Sequence, residues 1–372
     1  MGLHTPLCDL LGIEYPVMQG SPGPWSSPAL TAAISEAGGL GSLGTALLAP
    51  EQIRNQVERV RTLTERPFAV NHTLRPLSEE AYALTLALTP AVISLALGLR
   101  PELVKRAHAA GSRFVSQVHT PQQAERAAEA GADAIIAQGG EAGGFGGTIS
   151  ALALVPQVVD AVAPVPVLAA GGIADGRGLA AALVLGAQGV NIGTRFMAAA
   201  EAEIPDAFKA AIVAAGSEDA VKLEFAAAVF PPRPEDGFTT EPRALRTPFI
   251  DRGNADPAAV EAERERLAGE LVEAVRAGRG HELVAVCRPD RGADRLGAAR
   301  RRDRARLGGR GRGRPAPRRR LNACARARRQ CSSVCVLSSA RTRMPSTKPA
   351  RARGERRSSV RRTGSACCRS RP

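Results

Sequence analysis

The stretch Ala134-Ile-Ile-Ala-Gln-Gly-Gly-Glu-Ala-Gly-Gly-Phe-Gly-Gly147 decides how this chain is read. A short apolar run feeds straight into a segment, Gln138 to Gly147, in which six of ten residues are glycine. Such a junction reads as a buried strand ending in a loop where backbone approaches something closely, although glycine clusters also punctuate ordinary flexible loops. Two more strand-to-glycine junctions follow, Val165-Pro-Val-Leu-Ala-Ala-Gly-Gly172 and Gly189-Val-Asn-Ile-Gly-Thr194. Their repetition favours close approach over flexibility.

Upstream the same rhythm holds: a short apolar run, a junction bearing Gly or Asn, then an Ala/Leu-rich helical segment. Expected strands are 15–19, 39–43, 67–71, 91–95, 113–117, 134–137, 165–169 and 189–192. Between them the pattern predicts helices at 27–37, 50–63, 101–110, 121–130, 151–161 and 178–185. Several open with proline in the first turn and stop at glycine, as Thr120-Pro121 to Gly131 does. Eight apolar strands alternating with helices favour a (β/α)₈ barrel of the TIM type over a doubly wound sheet.

In such a barrel, chemistry sits at the C-terminal ends of the strands. Met18-Gln19-Gly20, Asn71-His72-Thr73 and Gln117-Val-His119-Thr120 all fall there, as do the three glycine junctions. Gly171, Gly172, Gly193 and Thr194, after the last two strands, read as a phosphate clamp of converging backbone N–H groups, or else as tight packing turns. A Gly-Lys-Ser/Thr loop and a Gly-x-Gly-x-x-Gly after the first strand are both missing, which argues against a nucleoside triphosphatase and a Rossmann dehydrogenase.

Charge divides the chain in two. Residues 287–372 hold 28 Lys+Arg against four Asp+Glu, whereas residues 1–286 hold 22 against 32. The overall +14 therefore belongs to the tail, and the body is acidic. Six of the seven cysteines lie in the tail, leaving Cys8 in the body and no sign of a disulfide framework there. No signal-like segment or membrane-length apolar run is present, so a cytoplasmic protein without a membrane partner is expected. Cys331, Cys335, Cys367 and Cys368 fit structural zinc spacing poorly, and no metal is expected.

Taken together, Tyr15-Pro-Val-Met-Gln-Gly20, Pro67-Phe-Ala-Val-Asn71, Gly139-Gly-Glu-Ala-Gly-Gly144, Ala170-Gly-Gly-Ile-Ala-Asp-Gly-Arg-Gly178 and Asn191-Ile-Gly-Thr-Arg-Phe196 resemble the FMN-dependent nitronate monooxygenases, formerly 2-nitropropane dioxygenases. The flavin enoyl-acyl-carrier-protein reductases of the same superfamily share the pattern. The resemblance spans about residues 5–286 and implies FMN across the C-terminal face of the barrel. It places the flavin ring near Met18, Gln19, Gly20 and Asn71, with Ala142 and Gly143 passing close by. Gln138 and Ala170 join the cofactor set, and the phosphate falls at Gly171, Gly172, Gly193 and Thr194. The implied partners are a small nitronate, such as propionate 3-nitronate, and dioxygen, with the flavin carrying the redox chemistry.

One position departs from the family pattern. The loop of the family usually continues Glu-Ala-Gly-Gly-His, the His serving as base or as positive partner of the substrate, and here Phe145 stands at that position. A phenyl ring neither takes a proton nor hydrogen-bonds a nitro group. Preformed nitronates, which need no base, remain possible substrates, with a nicotinamide-dependent enoyl reductase or a catalytically impaired FMN-binding barrel as alternatives. His72 and His119 both follow expected strands and are candidate substitutes, His72 the one retained, or else polar residues at strand ends. Glu141 reads as a loop hydrogen-bonding residue, and Trp25 either walls the pocket or packs in the core.

Three regions follow from this reading: a barrel over 1–200, a helical lid over 201–286 with helices at 205–215 and 257–277, and a disordered, Arg-rich tail over 287–372. The tail reads as a frameshift product. Val286 to Asp294, shifted by one nucleotide, can be encoded to give Phe-Ala-Gly-Arg-Thr-Gly-Ala-Leu, close to the Phe-Ala-Gly-Gln-Ser-Ala-Gly-Leu-Ile with which the family ends. If the tail is genuine instead, its charge makes it a nucleic-acid arm. Oligomeric state is left open by the sequence.

Overall fold

A computed structural model describes residues 3–284, apart from 22, 24, 26, 75–76, 230–237 and 239–240. The expected tail and the proline-rich run Pro231-Pro-Arg-Pro234 lie outside the described residues. Eight parallel strands form the barrel: β1 (Val17–Gln19), β2 (Gly41–Gly44), β3 (Phe68–Thr73), β4 (Val92–Ala96), β5 (Arg113–Val118), β6 (Ala134–Gln138), β8 (Val167–Ala170) and β9 (Gly189–Ile192). Each matches an expected strand to within two residues. Their order is β1-β9-β8-β6-β5-β4-β3-β2, and a Met18–Leu40 bridge joins the two ends. The TIM barrel expected from the strand rhythm is the fold of this chain.

Around the strands run α2 (Pro28–Glu36), α3 (Pro50–Leu63), α4 (Glu79–Ala87), α5 (Pro101–Ala109), α6 (Pro121–Glu129), α7 (Ala151–Val162) and α8 (Gly176–Val184), and α1 (Pro6–Leu11) precedes β1. Ser27, Ser78 and Thr120 each accept a backbone N–H of the first turn of the helix they open, a cap worth about 1 kcal/mol in general. Strand side chains alternate between two apolar layers. Val17, Ile93, Leu95, Phe114, Ile135 and Val190 point outward and pack with helix residues such as Leu103, Leu154 and Leu179. Met18, Leu40, Ala69, Val92, Val115, Ile136 and Leu168 point inward and pack with Leu7, Cys8 and Leu11 of α1. An ideal Cβ on Gly189 would lie 2.6 Å from Leu7 Cδ2, so a glycine at that inward position makes room for the plug.

Beyond β9 come α9 (Thr194–Met197), α10 (Asp206–Ala214), α11 (Ala226–Val229), α12 (Pro248–Ala255), α13 (Pro257–Ala262), α14 (Arg264–Arg276) and α15 (Gly280–Leu283). They bury a separate core that includes Phe208, Phe225, Phe249, Ile250 and Leu271 and reaches back to Leu30 and Ile34 of α2. Trp25 packs on this core, its ring 5.5 Å from that of Phe208.

Two expectations are corrected. The helix predicted over 257–277 is interrupted at Glu263, where the backbone leaves helical angles (φ −106°, ψ 13°) between α13 and α14. The region expected to form a helical lid also supplies β10 (Ala220–Lys222) and β11 (Glu241–Leu245). These pair antiparallel with each other and with β7 (Gly144–Gly146), the second half of the glycine stretch, which had read as loop throughout.

Candidate active site

Period-two alternation decides which side chains face the barrel interior. On the C-terminal half of the strands the inward positions are Asn71, Ser94, Gln117, Gln138, Ala170 and Asn191, in register with Met18 through β9. Asn71 donates to Ser94 Oγ at 2.9 Å. Gln138 Oε1 accepts from Gln117 Nε2 at 2.7 Å and lies 2.8 Å from His119 Nε2. Since that oxygen can only accept, the imidazole donates through Nε2. The polar belt above an apolar floor is the geometry of a barrel mouth.

The glycine junctions converge on one arc of that mouth. An ideal Cβ on Gly20 would lie 2.9 Å from Asn191 Oδ1 and 3.2 Å from Gly193 Cα. One on Gly171, whose φ is +110°, would lie 3.0 Å from the Ala142 nitrogen, and one on Gly143 would lie 3.1 Å from Thr194 Oγ1. Gly139 N donates to Ala170 O at 2.9 Å, fixing the start of the glycine stretch to β8. Met18, Gly20, Gln138, Ala142, Gly143, Ala170, Gly171, Gly193 and Thr194 thus form one continuous wall across β1, β9, β8 and β6, with Gly172 behind Glu141 (3.6 Å from an ideal Cβ to Glu141 Cβ). Asn71 faces it from β3.

The glycine junctions pack main chain closely against main chain along the arc of this cradle, and residues without side chains leave backbone N–H groups open to a phosphate-bearing group. The N-terminus of α8 is a poor anion site, since the Asp175 carboxylate already accepts from Arg177 N at 2.9 Å and Gly178 N at 3.4 Å. A phosphate would be held by the Gly171-Gly172 and Gly193-Thr194 turns.

Other expected residues have structural work. Gln19 is buried at the seam where β1 meets β2, and its Oε1 accepts from Ser42 N at 2.9 Å, in place of a strand carbonyl. Its Nε2 is buried with no hydrogen-bond partner, an orphan donor at the edge of the cradle. Glu141 Oε2 accepts from Ala151 N at 2.8 Å and so caps α7, as a loop hydrogen-bonding residue should. Phe145 sits on β7 opposite Pro242.

His72, the expected substitute base, is turned away from the mouth. As an outward residue of β3 it lies between Thr45 Oγ1 and Thr85 Oγ1, each 3.0 Å from a ring nitrogen, with the Tyr82 ring edge-on at 5.3 Å. Burial lowers its pKa from 6.5 to about 4, holding it neutral. Each threonine hydroxyl also reaches a carbonyl at 3.0 Å, Thr85 that of Ala81 and Thr45 that of Asn71, so the ring is held in a closed polar cluster. His119 stays inside the mouth but is covered: an ideal Cβ on Gly147 would lie 2.7 Å from its Cβ, and the Phe238 ring packs against it at 5.8 Å.

Sequence reasoning placed Gln117 at the barrel mouth but passed over Ser94 and Asn191 as lining residues. Their signal was a polar residue at an inward position of an otherwise apolar strand, in Ala91-Val-Ile-Ser-Leu95 and Gly189-Val-Asn-Ile192 above all. Among the described residues no His/Cys/Asp/Glu cluster could hold a metal ion, and no helix is long and apolar enough to cross a membrane.

Known proteins resemble this arrangement along most of the described chain. The nitronate monooxygenase family profile matches residues 4–84 and 78–282. A (3aS,4S,5R,7aS)-5-hydroxy-7a-methyl-1-oxo-octahydro-1H-indene-4-carboxyl-CoA dehydrogenase of Rhodococcus jostii is 40% identical over 219 residues, 58% of this chain and 62% of the relative. This chain therefore spans about three fifths of that relative's length. Nitronate monooxygenase of Pseudomonas aeruginosa is 34% identical over 317 residues, 67% of this chain and 90% of the relative. Among solved structures, FabK from Thermotoga maritima superposes with a TM-score of 0.66 at 31% identity, covering 82% of this chain and 99% of FabK.

Proposed function

Because the chain belongs to the nitronate monooxygenase family, we propose that it is an FMN-dependent oxidoreductase that oxidises small alkyl nitronates with dioxygen. The observation that supports this reading is the family match over residues 4–84 and 78–282, with the glycine junctions after β6, β8 and β9 meeting on one arc of the barrel mouth. Bound there, FMN would supply the electron transfer between substrate and oxygen.

The residues of the chain do the rest. Backbone N–H groups of Gly171, Gly172, Gly193 and Thr194 would hold the phosphate, and Gly20, Ala142 and Gly143 would let the ring lie against main chain. Asn71, tethered to Ser94, presents a carboxamide from the opposite wall. Among the described residues the candidate bases are otherwise engaged: His72 faces the helices, Glu141 caps α7, and His119 donates through Nε2 to Gln138 with its Nδ1 buried. A substrate already ionised at carbon suits such a site.

A second reading is favoured by one observation, the 40% identity to carboxyl-CoA dehydrogenases of Rhodococcus jostii and Mycobacterium tuberculosis. On it the same cradle serves electron transfer between a nicotinamide nucleotide and an acyl thioester. The test is spectral and kinetic. Purified protein should show flavin absorbance after reconstitution with FMN; none at all would sink both readings. Anaerobic mixing with propionate 3-nitronate should bleach the bound flavin, whereas bleaching by NADH or NADPH alone would select the thioester reading.

A further inference from the structure

We infer that Arg243 is a positioning residue, which fixes the turn Glu141-Ala142-Gly143 over the cofactor face by tying Gly140 to the antiparallel sheet. The inference rests on the cradle reading above. Gly140 is held from two sides: its N–H donates to Ile149 O at 2.7 Å, and its carbonyl accepts from Arg243 Nε at 3.1 Å. The other arm of the same guanidinium donates to Ala220 O, at the start of β10.

Arg243 is also the register partner of Gly144, so its backbone pairs with one end of the turn while its side chain grips the other. The turn is in this way strapped at both ends by a single residue of β11. Such a strap matters because β7 is three residues long and two of them are glycine, which lose the most conformational freedom when ordered. Pro242, opposite Phe145, has no N–H to give to the ladder. Main-chain pairing alone would hold this edge weakly, and a charged donor to a carbonyl is among the stronger hydrogen bonds available. Both partners of the guanidinium are carbonyls 80 residues apart in sequence, a geometry that a planar fork satisfies and an ammonium point charge does not.

The experiment is amide hydrogen exchange on the full chain without flavin, following peptides across 138–147. Arg243→Ala should accelerate exchange there at least tenfold while β5 peptides stay within twofold of wild type. Arg243→Lys, which keeps the charge but not the fork, should behave like the alanine variant, and carries the test if Arg243→Ala does not fold. Lys222→Ala, which breaks only the neighbouring Lys222–Glu241 ion pair, should leave the loop unchanged. After loading with FMN, both Arg243 variants should raise the FMN dissociation constant and raise KM by more than they lower kcat. Unchanged loop exchange in Arg243→Ala, equal acceleration by Lys222→Ala, or full rescue by lysine would overturn the inference. Failure of the wild type to bind FMN would instead count against the cofactor reading, because the exchange measurement needs no flavin.

Discussion

At the scale of single residues, strand parity separates function from packing more sharply than residue type does. His72 and Asn71 are neighbours, yet one faces helices and the other the mouth. For His72 the linkage is explicit. Its folded pKa, about 4, lies below the unfolded 6.5, so the unfolded chain takes up the proton first. Stability is whole above pH 6.5 and falls as pH drops toward 4, by about 3 kcal/mol at one group. His72→Gln should flatten that part of a plot of thermal midpoint against pH, although it lowers the midpoint at pH 7. Gly171→Ala places a side chain at φ +110° against Ala142 N and should cost about 1–3 kcal/mol while abolishing FMN binding, read by fluorescence titration. Phe145→His would supply the missing base at the loop position; turnover of neutral nitroalkanes should rise roughly 100-fold, measured as oxygen consumption. No gain, together with good nitronate turnover by the native protein, would mean that this chemistry does not use the loop position. The glycines, Asn71 and the departure at Phe145 were legible as residues. The outward direction of His72 was not, because it depends on a strand register that a single sequence leaves loose by one residue, and one residue exchanges the two faces.

At the scale of elements, the barrel strands were legible because each couples an apolar run to a glycine or polar stop, and the helices because proline opens and glycine ends them. The antiparallel sheet was not. Gly144–Gly146 has almost no side chains to signal a strand, and β11 carries a proline, so both run against strand propensity and exist through pairing with each other. The seam between β1 and β2 was equally hidden, since it depends on the Gln19 carboxamide standing in for a backbone carbonyl. Gln19→Leu should leave Ser42 N–H buried without that acceptor and lower stability by about 1–3 kcal/mol in urea unfolding. A two-state loss within that range, with far-ultraviolet circular dichroism unchanged, would locate the effect at the seam.

At the scale of the molecule, the acidic body and the basic tail predict separable behaviour. A chain ending at Val286 should bind FMN as the full chain does. If the tail is genuine coding sequence, only the full chain should bind nucleic acid, and the binding should weaken steeply between 50 and 200 mM salt, read by anisotropy. Reading the codons across Val286 would decide whether the frameshift account holds. The plug formed by α1 has a consequence for traffic through the enzyme. Leu7 and Cys8 are fully buried and Leu11 nearly so, and Thr5 Oγ1 latches the helix to Gln188 O at 2.7 Å, so the lower end of the barrel is stoppered. Among the described residues that end offers no way through, so a ligand of the barrel would enter and leave at the upper rim, past the glycine turns.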